Sequence, residues 1–292
     1  MVHKTTNHAW LWNISDIHGG AITDQKEFVE AVRVRLGCGG PREPTICETC
    51  GVQMMDGTGK HASVCCIGEA TRGHNRCVET LFQYVKIIDP EALMEPREVV
   101  PSQHRLRPAD ILSAAACRLT AADMGITSPA VATSAEKAKD RMVERKKEER
   151  EGISPELRRE GIHYEPMVAS HFGSLHPALD NWISALAKGC GRKRGWARKA
   201  VERQIRSRLG AALARRAARM SLATWGREAR ECDVLLPIVE YDDLDRTAAE
   251  IPVEPPDVGS CGSRHDSLCA ALGRVGLGTT GPAPCGAEAD AG

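Results

Sequence analysis

Two aspartates thirteen residues apart, Asp110 and Asp123, frame RPADILSAAACRLTAAD, the stretch of this chain (residues 107–123) whose residues best suit chemistry. Pro108 has no amide hydrogen for a sheet ladder, so it belongs at a strand's first residue, with Asp110 just after it and the apolar Ile111 and Leu112 beyond. A second strand over residues 117–122 ends at Asp123. If the segment folds back on itself the two carboxylates meet, and carboxylates in contact repel unless a hard cation such as Mg²⁺ lies between them. The plainer alternative is a hairpin with two solvated aspartates. A third group follows: Thr133 and Glu136 form an S/T-x-x-E capping box for a helix running to about Arg150. Ala135, Ala138, Met142 and Lys146 step along one face of it. Lys146 thereby turns inward, where a cation near two carboxylates can stabilise developing negative charge or hold an attacking water. Lys147 is its rival, and a snorkelling surface lysine the plainer reading.

A second constellation lies upstream. Cys47-x2-Cys50 is followed by His61 and then by Cys65 and Cys66. Zinc takes four tetrahedral sulfur or imidazole ligands, and a C-x2-C turn presents two thiolates at the correct bite. The expected set is Cys47, Cys50, His61 and Cys66, with Cys65 competing for the fourth place and scattered buried thiols as the alternative. Of the 12 cysteines, five fall between Cys47 and Cys77, a clustering that favours metal over a disulfide framework. That implies a nuclear or other intracellular reducing compartment, not secretion; residues 1–22 lack a signal-peptide core, and no apolar run approaches a membrane span.

Charge adds a polyanion to the picture. Lys plus Arg and Asp plus Glu are each 39, but residues 192–219 hold eleven basic residues against Glu202 alone, while residues 231–292 hold twelve acids. The basic stretch falls on a long helix from Trp196 to about Trp225, striped by Val201, Ile205, Leu209, Leu213, Ala217 and Met220. Such a helix packs one side and offers Arg198, Arg203, Arg206 and Arg215 on the other to phosphates; a merely solvated charged face is the alternative. Arg72, His74 and Arg107 are further candidates for nucleic-acid contact, and His74 on its own is more simply a surface histidine.

The elements that position these groups follow from periodicity. A helix capped at Thr23 or Asp24 runs to Gly37, another carries Cys77, Leu81, Phe82 and Val85 inward, and Val99 and Val100 open a short strand. Beyond the charged helix come a short helix over residues 154–160, a strand through Ile162, Tyr164, Met167 and Val168, and a helix over residues 177–188. The order strand, strand, helix, strand predicts an α/β (α+β) fold with a small mixed sheet and flanking helices. The expected divisions are an irregular segment (1–22), a helix plus zinc knuckle (23–88), a core (89–190), a basic helix (191–228) and a disordered acidic tail (229–292).

In that order, Cys47-x2-Cys50, His61, Cys65/Cys66, then Arg72, His74 and Asn75, RPAD ending at Asp110, Asp123 and a later helical lysine, the chain resembles the C-terminal region of site-specific non-LTR retrotransposon reverse transcriptases. The resemblance spans about residues 24–225. It implies a CCHC zinc knuckle joined to a restriction-endonuclease-like domain of the PD-(D/E)XK type, with Asp110 and Asp123 as Mg²⁺-binding acids and structural Zn²⁺ upstream. Lys146 takes the place of a lysine otherwise found two residues after the second acid, where this chain has Gly125. The chain departs from the family at Ala109, which splits the PD, at Gly73, which separates Arg72 from His74, and at Arg150, where a tyrosine is often found. The resemblance implies a Mg²⁺-dependent DNA-nicking module without its polymerase, with RNA as a second partner. The alternative is a catalytically inactive, zinc-containing nucleic-acid-binding relic.

Overall fold

Asp24 begins the first helix, α1 (Gln25–Arg35), by accepting the Glu27 amide at 2.8 Å, and Gly37, with φ +75°, ends it. The computed structural model describes residues 22, 24–40, 44–55, 57–128 and 135–224; the readings for residues 1–21, for the Thr133 cap and for the acidic tail lie outside these. A hairpin of β1 (Thr45–Ile46) and β2 (Met54–Met55) follows α1, then the single turn α2 (Ala62–Cys65) and the long α3 (Ile67–Ile88). The inward stripe of α3 is Cys77, Val78, Leu81, Tyr84 and Val85, all buried.

The main sheet is mixed and four-stranded, in the order β3 (Leu93–Met94), β4 (Ile111–Ser113), β5 (Thr120–Thr127), β6 (His163–Ser170). The first three strands are antiparallel, and β6 joins β5 in parallel. A parallel neighbour needs a crossover, supplied here by α4 (Ala135–Glu149) and α5 (Ser154–Arg159). On one face Ala122, Met124, Met167 and Ala169 pack with α3, α6 (Pro177–Arg194) and α7 (Arg198–Thr224). On the other, Leu112 and Ala121 pack with Ile153, Leu157 and Ile162 in a second core. Helices cover both faces, so β5 is buried along nearly its whole length and runs on past Asp123, which sits mid-strand and not at the strand's end. Val99 and Val100 form no strand: between Glu98, with φ +61°, and Pro101 they plug the second core.

Helix α7 departs most from expectation. It does not keep one side free: Leu209 to Ala214 are all buried, and the helix packs against α1, α2, α3 and α6. The small residues Gly210, Ala211, Ala212 and Ala214 allow this close approach from several directions. Opposite them Gly73 lets α3 draw near, since a Cβ there would lie 2.3 Å from Cγ of the buried Arg216. Gly73→Ala gains about 1 kcal/mol of helix propensity, against overpacking of about 1–3 kcal/mol. A net loss on the order of 1 kcal/mol is expected, read as a lower denaturant midpoint at unchanged slope. Among the described residues no helix is long and apolar enough to cross a membrane, and the described cysteines are all free thiols.

Candidate functional site

The β1–β2 hairpin closes on itself through the Cys47 amide, which donates to the Gln53 carbonyl, and this turn brings Cys47 and Cys50 together. His61 and Cys65 are four residues apart on the turn of α2, where the Cys65 amide donates to the His61 carbonyl, so both project from one side. One ligand atom from each of Cys47, Cys50, His61 and Cys65 lies within 4.8 Å of the others, a Cys₃His cluster of the kind that holds zinc. Cys47 Sγ is 3.7 Å from Cys65 Sγ, and Cys50 Sγ is 3.4 Å from His61 Nε2. Cys66 is not the fourth ligand: it is buried at the junction of α2 and α3, outside the cluster. The Gln53 and Val52 amides hold the Cys50 thiol down at about 6, whereas burial and the neighbouring sulfurs push Cys65 up to about 12. The thiols cannot all ionise at neutral pH without a cation among them, and bound zinc requires that they do.

The second centre forms where β4 and β5 pair. Ile111 lies opposite Ala122, where the β4–β5 ladder ends; just before it the Asp110 amide also donates to the Ala122 carbonyl, at 3.1 Å, which sets Asp110 beside the middle of β5. Lys146 reaches in from α4, its Nζ 2.7 Å from Asp123 Oδ1, with both side chains largely buried. Its path depends on Gly125: a Cβ there would stand 2.9 Å from Lys146 Cε, 3.1 Å from Met142 Cγ and 3.3 Å from Val168 Cγ2. The glycine and the distant lysine are thus two halves of one arrangement, because the stem of Lys146 runs through the space a side chain at 125 would fill. Lys147, the rival, pairs with Glu144 on the exposed side of α4.

Two residues complete the centre. Tyr164 of β6 donates its hydroxyl to Asp123 Oδ2 at 2.6 Å and to the Lys146 carbonyl at 3.3 Å. Burial, and then the Asp123 carboxylate, raise the Tyr164 pKa, so it stays a donor. Nothing near in sequence signals this contact, although the β5–β6 pairing sets Tyr164 opposite Ala121. His74 of α3 approaches from the other side, its Nε2 3.3 Å from Asp110 Oδ2 and 3.1 Å from the Met124 carbonyl, while the Met124 amide donates to the same Asp110 oxygen at 2.7 Å. It is therefore part of the acid centre, not a surface histidine.

Burial works against charge on both partners of this pair, yet each charge favours the other. Asp110 is held below the usual carboxylate range by His74, the Met124 amide and Lys146, and His74 is raised above its ordinary value by Asp110. The histidine's contribution to stability is full below its unfolded value of ~6.5 and is lost as pH rises through its higher folded value; that of Asp110 is present above ~3.9 and lost only in stronger acid. Protonated His74 would compete with any cation for Asp110. If Mg²⁺ is the cation, its apparent affinity should accordingly rise with pH through the raised His74 value, and His74→Gln should flatten the profile measured by metal titration between pH 6 and 8.5.

The basic residues have mixed placements. Arg72 is exposed and paired with Glu69, Arg107 is exposed and paired with Glu95, and Arg198 and Arg203 are exposed. Arg206 is held by Asp180 and Glu202, and Arg215 shares the buried Glu27 with Arg219. The acids missing from the neighbourhood of α7 in sequence are supplied by α1 and α6. A cleft of about 330 Å³ between α3 and α7 nonetheless gathers Arg72, Arg76, Arg215, Arg216 and Arg219 against Glu79. No protein-family model, curated protein or solved structure matches this chain.

Proposed function

We propose that this chain is a zinc-stabilised, Mg²⁺-dependent DNA-nicking module of the restriction-endonuclease-like, PD-(D/E)XK type that its sequence resembles. The observation that carries the reading is the 2.7 Å approach of Lys146 to Asp123, with Asp110 held against the same strand by the Met124 amide. An acid within one strand, a second just before its neighbour and a lysine on the crossover helix of a mixed sheet are the parts such chemistry needs. The donor set fits Mg²⁺, which prefers oxygen, keeps several waters and is held by one or two carboxylates together with substrate phosphate. When bound there, the ion would polarise the scissile phosphate and lower the pKa of an attacking water.

The chain's own residues would do the rest. Lys146 would leave Asp123 for the phosphate, neutralising charge that builds as the water oxygen bonds to phosphorus and gives up its proton to solvent, while the scissile P–O bond breaks and the departing sugar oxygen keeps the electron pair and takes up a proton. Tyr164 keeps Asp123 oriented during that exchange, and deprotonated His74 releases Asp110. Exposed Arg198 and Arg203 and the arginine cleft between α3 and α7 would hold the sugar–phosphate backbone, giving affinity that falls with salt and carries little base information. RNA offers the same phosphates.

A second reading has its own support: every carboxylate contact named above is already satisfied within the chain, as in an inactive relic. Supercoiled DNA with Mg²⁺ separates them. The intact chain should convert it to the open circular form; DNA binding without conversion would establish the relic.

A further inference from the structure

Helices α1 and α7, the loop after β6 and the segment before α2 line a cavity of about 340 Å³ that shares only Arg216 with the arginine cleft. Val34, Phe172 and Met220 give it apolar walls, Lys60 stands at its exposed rim, and His171 and Arg216 project into it; no acid lines it. His171 is only 6% exposed, and neither ring nitrogen has a hydrogen-bond partner. Its edge contact with Phe172, at 4.0 Å between ring centres, packs the ring without satisfying it. Burial, and then the charges of Arg216 and Arg35, hold its pKa down at about 3, so the ring is neutral and presents one donor and one acceptor.

Arg216 is 8% exposed and donates from Nε to the Ala70 carbonyl at 3.3 Å. Glu30, which accepts from the lining Ser221 hydroxyl at 2.6 Å and pairs with Arg33, and Glu79, which shares the arginine cleft with Arg216, both lie outside this lining. Leaving a buried polar group unpaired costs about 1–3 kcal/mol, and more for a charged one. Water is a poor remedy, because the wall is largely apolar and most waters inside would face it without a hydrogen-bond partner.

We infer that this cavity is a binding site for a small organic phosphate, its dianionic head between Arg216, Lys60 and the His171 N–H and its apolar or aromatic body against Val34, Phe172 and Met220. Two cations suit a dianion better than a carboxylate, and the volume falls at the small end of the range for ligand pockets. The site is separate from the acid centre, so it stands or falls independently of the nicking assay.

The test uses the whole chain with dAMP as probe, followed by titration and by the imidazole ¹⁵N signals of His171. Saturable binding with a Kd of about 1 mM or tighter is expected. It should shift the His171 signals and be at least about tenfold stronger than that of deoxyadenosine or inorganic phosphate. Ala217→Leu, which fills the cavity from α7, should weaken dAMP by about tenfold or more, and Lys60→Gln should weaken it severalfold without touching the core. Unmoved His171 signals, unchanged affinity in Ala217→Leu, or benzoate binding as well as dAMP would each overturn the assignment. The first two would move dAMP to another surface, such as the arginine cleft, and the third would make the site a carboxylate pocket.

Discussion

Asp123→Ala should lower Mg²⁺-dependent nicking by about a thousandfold or more. A metal's stabilisation of transition-state charge is worth several kcal/mol, and each ~1.4 kcal/mol is a factor of ten in rate. The substitution also strands Lys146 and the Tyr164 hydroxyl, which both depend on this carboxylate. Breaking one side of a buried pair costs about 3–5 kcal/mol, so the alanine variant loses stability as well as activity. Asp123→Asn separates the two effects, because the amide oxygen can still accept from Tyr164 while the anionic ligand is gone. The expected result is a folded protein that binds DNA with unchanged salt dependence and does not nick it. Nicking by purified Asp123→Asn at the unsubstituted chain's rate would sink the nuclease assignment, and Asp110→Ala gives a second, independent test just before the neighbouring strand.

The zinc cluster carries the other large effect. Native mass spectrometry should find one zinc per chain, with Cys65→Ser losing it and Cys66→Ser keeping it. The hairpin it closes has strands of two residues, and an isolated two-stranded hairpin is at best marginally stable in water. Zinc in comparable short segments supplies about 10–16 kcal/mol of apparent binding free energy at neutral pH, which becomes folding free energy. Chelation should therefore abolish hydrogen-exchange protection across residues 45–65 and spare β5 and β6. Full protection of that segment in metal-free protein would argue that apolar contacts, not metal, hold it.

Much of the acid centre was legible in the sequence because its parts lie close along the chain. The apolar runs on either side of the turn set the β4–β5 hairpin, and the steps from Ala138 through Met142 to Lys146 set the lysine's direction; the strand limits were misplaced, since β4 begins at Ile111, three residues after Pro108, and β5 at Thr120, with Cys117 in the turn at φ +68°. The contributions of His74 and Tyr164 were not legible, since each reaches the acids only through tertiary contact, 36 and 41 residues from its carboxylate partner. The error between Cys65 and Cys66 had a local remedy: four residues from His61 is one helical turn, whereas five is not. The arginines of α7 misled for two reasons. Their partner Glu27 lies 188 and 192 residues away, and the helix's all-round burial rests on glycine and alanine, which leave little hydrophobic period to read. β3 is two residues long, too short to carry an alternation.

That remote partnership also sets an order of events during synthesis. Glu27 leaves the ribosome with α1, yet the guanidinium groups that neutralise it belong to α7, the last described helix. At about 5–20 residues per second the nascent chain waits roughly 10–40 s for them. Until then the face of α1 that α7 covers, and the side of α3 that receives Arg216, remain open to water and to other chains. The sheet can pair and the knuckle can take up metal as they emerge, but the layers close only when α7 arrives. Slowing elongation should lengthen the interval in which this protein needs a chaperone, while leaving the finished structure unchanged.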